Sequence, residues 1–335
     1  MNQNNKIKNF ILNNLSGHEK DIVQAAIIKF GVSRQAIHRH MINLINENKI
    51  IAYGNTKGRH YKLIPIANYN RKINVNDIKN SRQFLEDYIL PNIESLPKNI
   101  YEIFEYSVGS LLNNVIDHAD ASSLYFKIFI NHDEAHFILT DNGVGVFEKI
   151  CNGLELSNPQ MAAMELAKGS LTTDPKNHSG DELNTIIHLF DRVTIDSAKM
   201  TVAYRNESNH WEINHSAHQK GTRIHLKISP KSDRTCANVF YKIFHKEKKK
   251  IRIPISLLNM PEKKVVNSRL HANNILRNID NYKKIEFDFN KIDLISPAFA
   301  DELARKTKEK NQFADIAWMN TNKTVEMLMD RAFKR

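Results

Sequence analysis

The run Asp141-Asn142-Gly143-Val144-Gly145 combines one carboxylate with two residues that lack side chains, and it follows the apolar stretch 135–140. A buried carboxylate can accept a hydrogen bond from an amino group such as that of adenine, and glycine lets backbone come close to a planar base. Upstream, Asn114 stands in Leu111-Leu112-Asn113-Asn114-Val115-Ile116-Asp117-His118. Its amide oxygen is a hard, neutral ligand suited to Mg2+, which keeps most of its waters and bridges phosphate oxygens. Taken alone, Asp-Asn-Gly equally fits a hairpin turn between two strands.

Other segments point to the same place. Lys168-Gly169-Ser170-Leu171-Thr172-Thr173-Asp174-Pro175 and His178-Ser179-Gly180-Asp181 form a polar, glycine-punctuated loop ahead of the apolar run 183–190. Such a loop reads as a mobile cover over a ligand. Gly221-Thr222 opens the alternating strand 223–228, from which the Thr222 hydroxyl could reach the same base as Asp141. The elements that must position these groups are a strand delivering Asp141 and a helix over 101–118. In that helix Ile103, Tyr106, Leu111 and Val115 recur at helical spacing and hold Asn114 across from the glycine loop.

Over about residues 85 to 245 the pattern resembles the ATPase family shared by DNA gyrase, heat-shock chaperones, histidine kinases and the mismatch-repair protein MutL. The resemblance implies an α/β-sandwich, histidine-kinase-like domain that binds ATP and Mg2+. It puts Asn114 and Asp117 in the helix motif, with Asn114 on the metal, and makes Asp141 the adenine-reading carboxylate, with Gly143 and Gly145 completing its loop. Residues 168 to 183, including Lys168, Gly169, Thr172, Thr173 and Gly180, become the ATP lid, and Thr222 the adenine-side threonine. The whole pattern is most similar to bacterial ATP-binding regulators that carry a STAS-like C-terminal domain.

Two departures bear on catalysis. Hydrolytic members of the wider family place a glutamate four residues before the metal asparagine, where it polarises the attacking water; here that position is Ser110. General-base loss costs roughly 100-fold to 10,000-fold in rate, so the expectation is weak or no hydrolysis. In the lid, related proteins read Gly-x-Gly and this chain reads Gly180-Asp181-Glu182. A carboxylate beside phosphates repels them, by roughly 1 kcal/mol at 4 Å in water, unless it joins a metal shell.

Residues 1 to 65 carry ten Lys and Arg against three Asp and Glu, a balance of +7 within the chain's +11. Three helical stretches are followed by 49–54 and 59–63, a strand pair tipped by Asn55-Thr56-Lys57-Gly58. Ser33 is a natural N-cap, and Ile37, Met41, Leu44 and Ile45 face inward, leaving Arg34, Gln35, His38 and Arg39 outward. The stretch resembles winged helix-turn-helix domains, which implies DNA contacts from Ser33, Arg34, Gln35, His38, Arg39, Lys57 and Arg59. A small packing or dimerisation domain with a solvated basic face is the alternative.

After about Arg71 the apolar periodicity weakens, which marks 67–84 as a linker; the lysines 246–250 read as a solvated hinge or a second nucleic-acid patch. Beyond them strand and helix signals alternate: a strand from Arg252, a helix from Ser268 to Ile279, a strand over 284–289, a helix opened by Pro297, and a last helix over 325–333. This order, with Ser296-Pro297-Ala298-Phe299-Ala300-Asp301-Glu302, resembles a STAS-like domain, in some of which a serine at the strand-to-helix turn is phosphorylated. Ser296 is the nearest candidate, and a helix cap is its plainer reading.

With 335 residues, the chain has room for two or three domains. Cys151 and Cys236 lack zinc-like spacing, the 15 histidines are scattered with no HExxH, and no apolar run approaches a membrane span. No signal-peptide pattern opens the chain, so a cytoplasmic protein without a membrane partner is expected.

The fold expected is therefore α/β (α+β) and multidomain: a winged helix over 1–66, a linker over 67–84, the ATP-binding domain over 85–245 and the STAS-like domain over 246–335. The function expected is a nucleotide-responsive, DNA-binding transcriptional regulator using ATP and Mg2+. It could be a homodimer and could meet a protein partner through the STAS-like domain. The alternative is an ATP-dependent serine kinase or ATPase acting on a partner or on its own STAS-like domain.

Overall fold

A computed structural model of the chain describes residues 3–55, 58–169, 181–244, 250–258, 264–280 and 282–334. The N-terminal segment folds as α1 (Gln3–Asn14), α2 (Ile22–Phe30), α3 (Arg34–Asn46) and the antiparallel pair β1 (Ile50–Tyr53) and β2 (His60–Leu63). Its buried apolar residues, among them Ile11, Leu15, Ile22, Ile37, Met41, Leu44 and Tyr61, form a cluster of their own. Spacing of four and three on α3 is what sends Ile37, Met41 and Leu44 to that cluster.

The middle of the chain contributes β3 (Ala67–Asn74), α4 (Ser81–Phe84), α5 (Lys98–His118), β4 (Ser123–Ile130), β5 (Ala135–Asp141), α6 (Val146–Gly153) and α7 (Pro159–Lys168). It continues with α8 (Asp181–Leu189), β6 (Arg192–Ser197), β7 (Met200–Arg205), β8 (His210–His215), β9 (Arg223–Ile228) and α9 (Cys236–Phe244). Seven strands make one antiparallel sheet in the order β3-β4-β5-β9-β6-β7-β8. Period-two alternation puts Leu124, Phe126, Ile128 and Ile130 of β4 and Ala135, Phe137 and Leu139 of β5 on one face. That face packs with the apolar residues of α5, whose Ile100, Ile103, Phe104, Val108, Leu111, Leu112 and Val115 are buried.

The stretch 67–84 is not a linker. Residues Ala67 to Asn74 pair with β4 along their whole length, from Ala67↔Ile130 to Asn74↔Ser123. The strand is an edge strand, so only Ala67, Tyr69 and Ile73 pack on the core while Asn and Lys side chains face out; the diluted apolar pattern has that cause. Phe84 of α4 and Tyr88 close over Phe126 at ring separations of 5.3 and 6.4 Å.

The C-terminal segment holds β10 (Lys250–Pro254), β11 (Val265–Val266), α10 (Arg269–Ile275), β12 (Lys284–Asp288), β13 (Leu294–Ile295), α11 (Pro297–Lys310), β14 (Asp315–Met319) and α12 (Lys323–Phe333). Its three-stranded sheet β10-β12-β14 is parallel, with helices in the crossovers, and β11 pairs with β13. Helix α10 stops at Ile275 rather than Ile279; soon after, Asn278 takes a left-handed φ of 56°, which a helix cannot contain. One apolar cluster takes in residues from Phe84 to Ala332, so the large sheet and the C-terminal segment share a core, while 246–249 of the lysine run lie outside the described residues. Among the described residues no helix is long and apolar enough to cross a membrane.

Phe84 distinguishes a packed element from a linker. Phe84→Ala is expected to lower stability by about 3–5 kcal/mol in urea denaturation, where an exposed linker residue would stay within about 0.5 kcal/mol.

Candidate functional site

Three adjacent strands end their inward rows on polar side chains at the same end of the large sheet. Asp141 closes the row of β5, Ser197 closes that of β6 after Val193 and Ile195, and Thr222 precedes Ile224 and Leu226 of β9. The registers Thr140↔Arg223 and Asp196↔Arg223 align the three, and the Asp141 amide donates to the Thr222 carbonyl at 2.9 Å. All three are buried. Oδ1 of Asp141 accepts from the Gly143 amide at 2.8 Å. Burial nevertheless holds this carboxyl above its usual range, against the pull of the Gly143 and Thr222 backbone groups. A further donor would relieve that cost. Oγ1 of Thr222 accepts from the Val146 amide at 2.9 Å, whereas the Ser197 hydroxyl is buried and makes no hydrogen bond among the described residues.

The glycines are required by close approach. A Cβ on Gly143 would stand 1.9 Å from the Ala119 carbonyl oxygen, which the Val144 amide bonds at 2.7 Å. A Cβ on Gly145 would stand 2.3 Å from the orphaned Ser197 Oγ. Gly221 has a left-handed φ of 76°, and a Cβ there would meet the Asp141 carbonyl oxygen at 2.2 Å. The hairpin-turn reading of Asp-Asn-Gly does not hold: β5 pairs with β4 and β9, and Gly145 leads into α6. Asn142 instead accepts from the Ser122 and Ser123 amides at 3.0 and 2.9 Å, which ties the loop to the start of β4. The result is a buried carboxylate held between a glycine loop and the polar ends of β6 and β9.

On α5, Ser110 is buried and Asn114 half-buried one turn later on the same face, while Asp117 is exposed near the helix end. Ser110 Oγ donates to Oε2 of Glu182, in the first turn of α8, at 2.7 Å. Asn114 is therefore the neutral oxygen available to a cation on this face. Gly169 ends α7 with a φ of 81°, and Thr172, Thr173 and Gly180 lie outside the described residues.

Lys168 does not join the cradle's ligand groups. Its ammonium, only 4% exposed, donates to Glu165 at 2.6 Å and to the Arg277 carbonyl at 3.3 Å. Burial pushes it below its usual range, against the pull of Glu165. A buried ammonium needs such partners, and here the C-terminal segment supplies one of them. Arg277 in turn donates to the Leu154 carbonyl at 3.2 Å.

In the N-terminal segment Ser33 Oγ caps α3 by accepting from the Ala36 amide at 3.2 Å, and Ser33, Arg34, Gln35, His38 and Arg39 are all exposed. Arg59 is also exposed, 5.5 Å from the Tyr61 ring centre, and Lys57 lies outside the described residues. Ser296 caps α11 by accepting from Phe299 at 3.0 Å while donating to the Asn267 carbonyl. Gly221, Ser197 and the Ser110–Glu182 contact complete the site. Only the glycine preceding Thr222 carries a signal in residue order, since the other two depend on which strands and helices become neighbours.

Residues 271–326 match the family described as STAS-like domain of unknown function (DUF4325). The chain thus carries a STAS-like domain at its C-terminal end, in a multidomain α/β fold. No curated protein sequence matches the chain.

Lys168→Met strands the buried Glu165 carboxylate and is expected to cost about 3–5 kcal/mol, most of it recovered when Glu165→Leu is added. Urea midpoints of the single and double variants check this, and a neutral single variant would contradict the ion pair.

Proposed function

We propose that the protein is a nucleotide-responsive, DNA-binding regulator of transcription, in which a histidine-kinase-like domain binds ATP with Mg2+. The observation that carries this reading is the buried Asp141 carboxylate in its glycine cradle, with Thr222 and the unsatisfied Ser197 hydroxyl beside it. An adenine amino group donating to Asp141 would offset the desolvation that raises its pKa. Gly143, Gly145 and Gly221 let the loop, the helix end and the neighbouring strands close tightly around Asp141, and Asn114 would hold Mg2+ at the phosphate end. The metal, when bound, would neutralise phosphate charge and bridge its oxygens.

The N-terminal segment is read as a winged helix whose α3 presents Arg34, Gln35 and Arg39 to a DNA groove, supported by their shared exposure and the Ser33 cap. Helix α7 meets the STAS-like segment where Lys168, paired with Glu165 of the same helix, also donates to the Arg277 carbonyl. A nucleotide that favours one arrangement of this joint would shift how the C-terminal surface is offered to a partner. The alternative of a kinase acting on Ser296 draws no support from that residue, whose hydroxyl both caps α11 and donates to Asn267.

At about 100 times its Kd, Mg-ATP should stabilise the parent by roughly 2.7 kcal/mol, and Asp141→Asn and Asn114→Ala should each lose that increment in thermal melts and calorimetry. DNA affinity should fall as salt rises, and Arg34→Ala or Arg39→Ala should reduce the log–log salt slope by about 1 for each phosphate no longer neutralised. Salt-independent or absent DNA binding would refute the role given to α3.

A further inference from the structure

Ser110 on α5 and Glu182 on α8 lie 72 residues apart in the chain and touch in the fold. Ser110 Oγ donates to Glu182 Oε2 at 2.7 Å. Resting on the nucleotide reading of the Asp141 cradle, we propose that Glu182 is the general base of a nucleoside triphosphate hydrolysis at this site, with Ser110 as its positioning residue.

Three observations point to this pair. Ser110 is 8% exposed and fixed on a 21-residue helix, one turn before Asn114, so its hydroxyl and the Asn114 amide share a face. Glu182 is exposed, so water and a phosphate group can reach it, while Thr185, Ile186, Ile187 and Leu189 behind it are fully buried and anchor α8. The contact satisfies the buried Ser110 hydroxyl and fixes the direction of the carboxylate at the same time. A serine alone is a poor base, but a serine that orients a carboxylate supplies the missing group from another helix.

In the step itself, one Glu182 oxygen takes a proton from water while Ser110 holds the other. The water oxygen forms a bond to the terminal phosphorus. The bond from that phosphorus to the bridging oxygen breaks, its electron pair leaving with the nucleoside diphosphate, and the proton on Glu182 passes on to the released phosphate or to solvent.

The full-length chain is tested with Mg-ATP by two readouts, calorimetric Kd and release of inorganic phosphate under saturating nucleotide. Glu182→Gln should lower phosphate release about 100-fold or more while the Kd stays within about threefold, and Ser110→Ala should lower it by a smaller factor, about tenfold. The double variant Ser110→Glu with Glu182→Gln, which returns the carboxylate to α5, should recover release over Glu182→Gln alone. Thermal melts of each variant report whether it has folded. Parental release from Glu182→Gln, or tighter binding with unchanged release, would overturn the role of Glu182 and make it a charge gate. Binding without any phosphate release in the parent would overturn this inference alone. Absence of binding in the parent would overturn it together with the nucleotide reading.

Discussion

The candidate site depends on two backbones approaching closer than any side chain permits. Gly143 lies against the carbonyl of Ala119 at the end of α5, and Gly221 against that of Asp141. These contacts set the distance between the helix that carries Ser110 and Asn114 and the strands that carry Asp141, Thr222 and Ser197. Since the Val144 amide bonds the same Ala119 oxygen, loop and helix end are joined by a hydrogen bond as well as by packing. A methyl group at either glycine would push the loop from the helix or β9 from β5. The polar ends of three strand rows would then no longer converge, although each row would keep its own alternation.

The second organising interaction is the buried ion pair of Lys168 and Glu165, which faces the STAS-like segment through the Arg277 carbonyl. Its charge has been taken out of water, so it contributes less to net stability than to fixing one arrangement of α7 against its neighbour. The same helix leads into the segment between Gly169 and α8, and α8 bears the glutamate that meets Ser110. The helices around the site and the C-terminal segment belong to one apolar core.

Much of this arrangement is legible in residue order. Alternation along 123–141 marks β4 and β5 and faces Asp141 inward, helical spacing marks α5, and Ser33 and Ser296 announce the helices they cap. What stays hidden depends on neighbours distant in sequence. The edge strand β3 buries so few side chains that its pattern resembles a polar linker, and Lys168 beside a glycine-rich loop gives no sign that a partner lies 109 residues away. Ser110 and Glu182 each read as a defect until the fold puts them side by side. The end of α10 falls earlier than its composition suggests because a single left-handed asparagine breaks an otherwise helical run.

The N-terminal segment keeps a separate apolar core and meets the large sheet through polar groups: Ser16 donates to Asp133 at 3.0 Å, and Lys231 reaches both Asn13 and Asp133. Asn13, Ser16 and Lys231 are exposed and Asp133 is half-buried; the Lys231–Asp133 ion pair lies within the large-sheet part, so what crosses the joint is the pair of hydrogen bonds from Ser16 to Asp133 and from Lys231 to Asn13. Backbone continuity and the Ile66 amide's bond to the Ile130 carbonyl hold the two parts together as well. The joint thus rests on chain continuity and a few hydrogen bonds between two separate apolar clusters, so a substitution inside one cluster leaves the packing of the other untouched.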